Sequence, residues 1–234
     1  DTLEKVGLDG EFLHVGKYKS APEQLERTGP TEANREMLTA LVEGRYELLV
    51  DLIARGRSRP VAEVERWIDT GLYDGAAALA AGLVDTLLTA DDLLDEIAPD
   101  DDLARLEDYA LAGGPGGGRH TVALVSAAGT IYPGPSRRDN FQGQILGSDT
   151  VVEHLQEARE DDDVAAVILR VDSPGGSALA SDLIWREVER VRRHKPVIVS
   201  MGGYAASGGY YIACSADSIF AGRGTLTGSI GVFA

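Results

Sequence analysis

Two stretches of the chain are apolar almost throughout, residues 164–171 (Val-Ala-Ala-Val-Ile-Leu-Arg-Val) and 196–200 (Pro-Val-Ile-Val-Ser). Short β-branched runs of this kind predict strands of a parallel sheet covered on both faces. A helix signal follows each. Leu179, Leu183, Ile184, Val188 and Val191 recur at helical spacing and predict a helix over 177–194. Residues 210–214 predict the apolar start of another. The order is strand, glycine loop, helix, strand, serine loop, helix. Such an order places both loops at the carboxyl ends of parallel strands, where α/β sheets hold ligands.

The first half of the chain reads as mostly helical. Residues 31–55 carry Leu38, Leu41, Val42, Leu48, Leu49 and Leu52 on related faces, with Thr31, Asn34 and Glu36 as a capped start and Gly56 as the stop. A second helix is expected over 60–70, opening on Pro60, and a third over 73–85, closing on a glycine and a short strand. Before them, residues 12–15 read as an apolar strand that runs into a turn and a helix. The run Gly113-Gly-Pro-Gly-Gly-Gly118 is the clearest linker signal. It divides the chain into residues 1–112, the linker 113–118, and residues 119–234, where a fresh α/β unit starts with a strand over 121–126. The opening residues read as the middle of a helix, and 228–234 stop inside an apolar run. Both ends are therefore expected to continue in a longer protein.

The chemistry concentrates in the two loops. Ser207 stands in Met201-Gly-Gly-Tyr-Ala-Ala-Ser-Gly-Gly-Tyr-Tyr211, between a strand and a helix. A serine flanked by glycine there is open to substrate, and the helix start supplies unpaired N–H groups. The plain alternative is a serine that only caps the helix. The second loop, Asp172-Ser-Pro-Gly-Gly176, ends the preceding strand, so that N–H groups of both loops converge on one carbonyl oxygen, as acyl transfer requires.

A nucleophilic serine needs a base. The four histidines are His14, His120, His154 and His194, and none follows Ser207. His154 and His194 read as solvated positions on amphipathic helices, and His120 lies beside the linker. A Ser-His-Asp triad would need a histidine from outside these residues. Lysine is the other candidate, once burial lowers its pKa. Among Lys5, Lys17, Lys19 and Lys195, Lys19 sits in a turn between a strand and a helix. An exposed lysine at a strand end is the competing reading. Ser229, in Thr227-Gly-Ser-Ile-Gly231, has glycines that permit close approach and a hydroxyl that can hold an amine in line; a structural turn serine is its alternative.

Four motifs in this order, Gly16-Lys-Tyr-Lys-Ser-Ala-Pro-Glu23, Asp172-Ser-Pro-Gly-Gly176, the Ser207 loop and Leu226-Thr-Gly-Ser-Ile-Gly-Val232, resemble the signal peptide peptidase A family in its long, two-domain bacterial form. The resemblance covers most of the chain. It implies a ClpP/crotonase-like fold of repeated α/β units, here the tail of one unit and the head of the next. By the same resemblance Lys19 is the general base, Ser207 the nucleophile and Ser229 the residue that orients the lysine. Gly175 and Gly208 are the implied oxyanion donors. The resemblance further implies a bacterial membrane protein with its anchor outside this segment, its catalytic part on the extracytoplasmic side and a homotetrameric assembly. Its substrates would be apolar peptides such as signal-peptide remnants.

Composition narrows the alternatives. The chain has 234 residues, 44% of them hydrophobic, enough for a sizeable core. A formal net charge of −16 argues against a nucleic-acid partner. The runs Asp100-Asp-Asp102 and Asp161-Asp-Asp163 read as solvated turns, and neither a metal nor another cofactor is expected. The single cysteine, Cys214, excludes a disulfide within the chain and reads as a small buried filler. No stretch has the apolar length of a membrane span. Three readings remain at this stage: a Ser-Lys endopeptidase, a crotonase-like acyl-CoA enzyme that uses the glycine loops on a thioester, and a catalytically silent peptide-binding scaffold. The second leaves Ser207 and Lys19 without a task. Covalent labelling by a serine-reactive probe separates the first from the other two.

Overall fold

The computed structural model describes residues 12–98, 120–141 and 143–232, together with Lys5 and Gly7. The glycine run 113–118 and the acidic run 100–102 lie outside the described residues. Contacts group the chain into two compact units, residues 1–42 with 119–234, and residues 43–118.

In the first unit, a short helix α1 (Glu23–Glu26) precedes the start of α2 (Glu32–Arg57). Then come β1 (Thr121–Ala128), β2 (Thr130–Tyr132), β3 (Arg137–Asp139), β4 (Gly143–Gly147), α6 (Ser148–Glu160), β5 (Val164–Ser173) and α7 (Ala178–Arg192). The unit closes with β6 (Val197–Ala206), α8 (Gly208–Ala213), β7 (Ser218–Phe220) and β8 (Leu226–Gly228). Strands β1, β5, β6 and β7 form a parallel sheet in that order, and β8 pairs with the far end of β6. A smaller sheet has the order β2-β4-β3. This is the α/β architecture expected, with strands joined through helices.

One face of the parallel sheet is fully packed. Val167, Leu169 and Val171 of β5 and Val197 and Val199 of β6 are buried in one cluster with Leu155 of α6 and Ile184, Val188 and Val191 of α7. The strands were expected to be covered on both faces, and here the structure differs. Burial alternates along β5, and Val122 and Leu124 of β1 are exposed on the other face. Leu124 and Ile168 are register partners, as are Ile168 and Ile198, so this second face is also apolar although no described helix covers it as α6 and α7 cover the first. Leu179 and Leu183 of α7, expected in the core, are exposed; Ala180, Ser181 and Glu187 take the buried stripe with Ile184, Val188 and Val191. Glu187 is held there by Arg159 and Arg190, each at 3.0 Å.

The second unit holds the larger part of α2 with α3 (Val61–Thr70), α4 (Gly75–Ala81) and α5 (Ala90–Ile97). Its core is Val50, Ala54, Val64 and Trp67. The apolar positions that predicted α2 are not that core: Leu38, Leu41, Val42, Leu49 and Leu52 are exposed. The cap at Thr31 forms, its Oγ1 accepting the Asn34 N–H at 3.2 Å. Gly56 does not stop α2, which runs to Arg57 and ends at Ser58 in a left-handed conformation (φ 52°). The third expected helix is shorter, capped by Asp74 and closed by Gly82, and residues 83–85 form no strand.

Candidate active site

β6 continues past the predicted end at Ser200, through Gly202 and Gly203, to Ala206. Ser207 follows at φ 53° and ψ −116°, a region that L residues rarely occupy, and α8 begins at Gly208. The Ser207 N–H donates to the Gly228 carbonyl at 2.8 Å, and the Tyr211 N–H donates to the Ser207 carbonyl at 3.0 Å. The turn is therefore tied to strand and helix at once, which is how a strained conformation persists.

β8 lies parallel to the end of β6, with Ala206 opposite Gly228. Ser229 thus leaves its strand beside Ser207, and it too has a positive φ, 49°. Lys19 reaches the same point from the other end of the chain. Residues 12–15, expected as a strand, form only a single bridge at His14 and then a turn closed by the Lys19 N–H on the Gly16 carbonyl at 3.1 Å. The Lys19 side chain is buried, with 7% of its surface exposed. Its Nζ lies 3.1 Å from Ser207 Oγ, 2.8 Å from the Ser229 carbonyl oxygen and 3.1 Å from Ser229 Oγ. Burial pushes the amine below the ordinary lysine value of 10.5.

The glycine loop meets the serine loop at close quarters. A Cβ on Gly175 (φ 99°) would stand 2.6 Å from the Gly208 nitrogen and 2.9 Å from Ser207 Cβ, so only glycine fits. The Gly175 N–H itself donates to the buried Ser173 Oγ at 3.1 Å. The N–H groups of Gly176 and Gly208 have no partner among the described residues, and a Cβ on Gly208 would lie 3.2 Å from the Gly176 nitrogen. β2 fixes the loop from behind: the Ile131 N–H donates to the Gly175 carbonyl and the Ser177 N–H to the Ile131 carbonyl, both at 2.9 Å.

A cleft of about 500 Å³ opens over Lys19, Ser207 and Gly208, walled by Tyr210, Tyr211 and Ile230. Tyr211 is fixed by donating its hydroxyl to Asp182 at 2.9 Å, a bond that raises the phenol pKa. Cys214, expected as a buried filler, is exposed on this cleft; its thiol donates to the Tyr211 carbonyl, and partial burial holds its pKa above the ordinary value. That is the wrong direction for a reactive thiolate. His14, His120, His154 and His194 are all exposed, and none bonds to Ser207 among the described residues. No group of three or more potential metal ligands occurs among the described residues.

Lys19, Ser207, Ser229, Gly175 and Gly208, the residues expected from the sequence, lie together in one place. Ser173 and Gly176 are the additions from the structure. The first turns on which hydroxyl captures a loop N–H, which motif spacing does not encode. The second was written in the same Gly-Gly pair, with nothing in the sequence to say which N–H is left unpaired.

The family model of peptidase family S49 matches residues 1–104 and 189–234, a span that holds Lys19, Ser207 and Ser229. The chain belongs to peptidase family S49. Over 98% of its length it is 37% identical to the chloroplastic serine protease SPPA of Arabidopsis thaliana, of which the match covers 36%. It is 36% identical over its whole length to Protease 4 of Haemophilus influenzae, covering 40% of that protein. With Protease 4 of Salmonella typhi it shares 34% identity over 99% of its length, or 39% of the relative. The chain thus spans about two fifths of the length of these curated relatives. No helix among the described residues is long and apolar enough to cross a membrane.

Proposed function

We propose that this chain carries the catalytic centre of a serine endopeptidase that works through a Ser207–Lys19 dyad. The carrying observation is a buried lysine amine 3.1 Å from the hydroxyl of a serine held at a strained strand–helix turn. A neutral amine has two N–H donors, which suit the two Ser229 oxygens, and a lone pair, which suits the Ser207 O–H. Lys19 takes the hydroxyl proton as Ser207 Oγ attacks the peptide carbonyl carbon. Negative charge then grows on the carbonyl oxygen, and the unpaired N–H groups of Gly208 and Gly176 stabilise it, aided by the N-terminal end of α8. Gly176 replaces Gly175 in this role because the Gly175 N–H already serves Ser173. The Lys19 ammonium returns its proton to the leaving amine. A water repeats the sequence on the acyl-enzyme, with Lys19 again as base.

Tyr210, Tyr211 and Ile230 favour apolar peptide side chains. Membrane-derived peptides, such as signal-peptide remnants, fit that lining, and a membrane-anchored homo-oligomer is the setting we propose for it. The test is turnover of an apolar chromogenic peptide together with fluorophosphonate labelling and peptide mapping. Label on Ser207 with concurrent loss of turnover supports the reading. Turnover that survives complete labelling, or coenzyme A thioester hydrolysis without peptide cleavage, overturns it.

Ser229→Ala is expected to be weakened rather than dead, because the Ser229 carbonyl at 2.8 Å still orients the amine. Loss of one hydrogen bond of ~1 kcal/mol predicts a roughly fivefold to tenfold fall in kcat. The lost acceptor also stabilised the ammonium, so the rising limb of the pH–rate profile should move to lower pH. A profile that moves to higher pH, or an unchanged kcat, contradicts the orienting role.

A further inference from the structure

We propose that Asp172 is a positioning residue, whose carboxylate pins a bulge in β6 and thereby sets the register in which three chain segments deliver the glycine loop, Ser207 and Ser229. The inference rests on the endopeptidase reading above. Pairing of β5 with β6 is regular as far as Val171 opposite Met201 and resumes at Ser173 opposite Ala205. One residue of β5, Asp172, thus faces three of β6, Gly202, Gly203 and Tyr204. Extra residues on one strand make a bulge, and its displaced N–H groups need acceptors.

The Asp172 carboxylate supplies one: its Oδ1 accepts the Tyr204 N–H at 3.0 Å. The glycines make room for it. A Cβ on Gly202 would stand 2.6 Å from Asp172 Oδ2 and 2.9 Å from its Cβ. Thr225 also holds the bulge, its hydroxyl donating to the Gly202 carbonyl at 2.8 Å. The Asp172 carbonyl in turn accepts the Gly129 N–H at 3.0 Å.

The bulge also marks where β6 changes neighbours. Before it, Ile198 to Ser200 pair with β7; from its last residue onward, Tyr204 to Ala206 pair with β8. Asp172, Tyr204 and Leu226 therefore lie along one line across the sheet. Three residues beyond that line stand Gly175, Ser207 and Ser229 respectively. A slip at the pin displaces Ser207 and Ser229 together relative to the 175–176 loop, and the cleft residues that follow them, Tyr210, Tyr211 and Ile230, move less critically because they bind side chains and not reacting atoms.

The test compares Asp172→Ala, Asp172→Asn and Gly202→Ala in the intact protein by kcat, KM, thermal melting and amide exchange at Tyr204. Asp172→Ala should lose roughly 10- to 100-fold in kcat, the scale of a small misplacement of reacting groups, with a much smaller change in KM. Its Tyr204 amide should exchange faster. Asp172→Asn keeps the acceptor oxygen and should restore most of both. Gly202→Ala crowds the carboxylate and should behave as Asp172→Ala does, which keeps the test available if that variant does not fold. Unchanged kcat in folded Asp172→Ala, an equal loss in Asp172→Asn, or unaltered Tyr204 exchange overturns the proposal. A wild-type protein that cleaves no peptide would instead overturn the endopeptidase reading, and Tyr204 exchange would still decide the pin.

Discussion

Ser207→Ala should fold and lose peptide turnover by roughly 10⁴-fold or more, as expected when a nucleophile that acts as a unit with its base is removed. The substitution keeps a Cβ at φ 53° and so leaves the backbone strain as it was. It deletes one hydrogen bond to Lys19, a change of ~1 kcal/mol in stability. Ser207→Gly should be equally inactive yet melt at a higher temperature than Ser207→Ala, because glycine takes this conformation without strain. Turnover kinetics and thermal melts on the two variants check both halves. Residual turnover within tenfold of wild type in either folded variant removes Ser207 from the mechanism.

Replacement of Lys19 should be nearly as severe. Lys19→Arg keeps the charge but cannot give up a proton at usable pH, and Lys19→Met has no base at all; each should lose on the order of 10³-fold in kcat. Stability gives an independent reading. The folded-state pKa of Lys19 lies below 10.5, so between those two pH values the unfolded chain binds more protons than the folded one. Stability of the wild type relative to Lys19→Met must therefore rise as pH rises through that window and stay flat below it. Denaturant unfolding of both proteins at several pH values measures this. A relative stability that falls with rising pH would mean that the lysine is held charged.

Much of this site was legible in the sequence. Glycine on both sides of Ser207, the Gly175-Gly176 pair and the glycines around Ser229 mark places where backbones approach closely, and the structure uses Gly175 for that purpose. The lysine was harder. Nothing local distinguishes Lys19 from Lys17, which is exposed and paired with Glu36 at 3.6 Å. Only the motif resemblance chose between them, because Ser207 and Ser229, to which the Lys19 amine bonds, are far away in sequence. Periodicity gave α7 but misplaced part of its buried face, since Leu179 and Leu183 obey the helical spacing and still lie at its exposed edge. It also read the apolar β5 as covered on both faces, where the described residues cover one. The β6 bulge was invisible for a related reason: Gly202-Gly203 looked like the end of a strand, and the carboxylate that carries the strand through them comes from another segment.

The most direct measurement of the central claim is the rate of fluorophosphonate labelling at Ser207 as a function of pH, in wild type and in Lys19→Met. The account predicts that label maps to Ser207 and that its rate rises through a single apparent pKa below 10.5. It predicts that the rate collapses in folded Lys19→Met and is kept when His14, His120, His154 or His194 is replaced. Label on another residue, a rate indifferent to the loss of Lys19, or a rate abolished by removal of one histidine would contradict it.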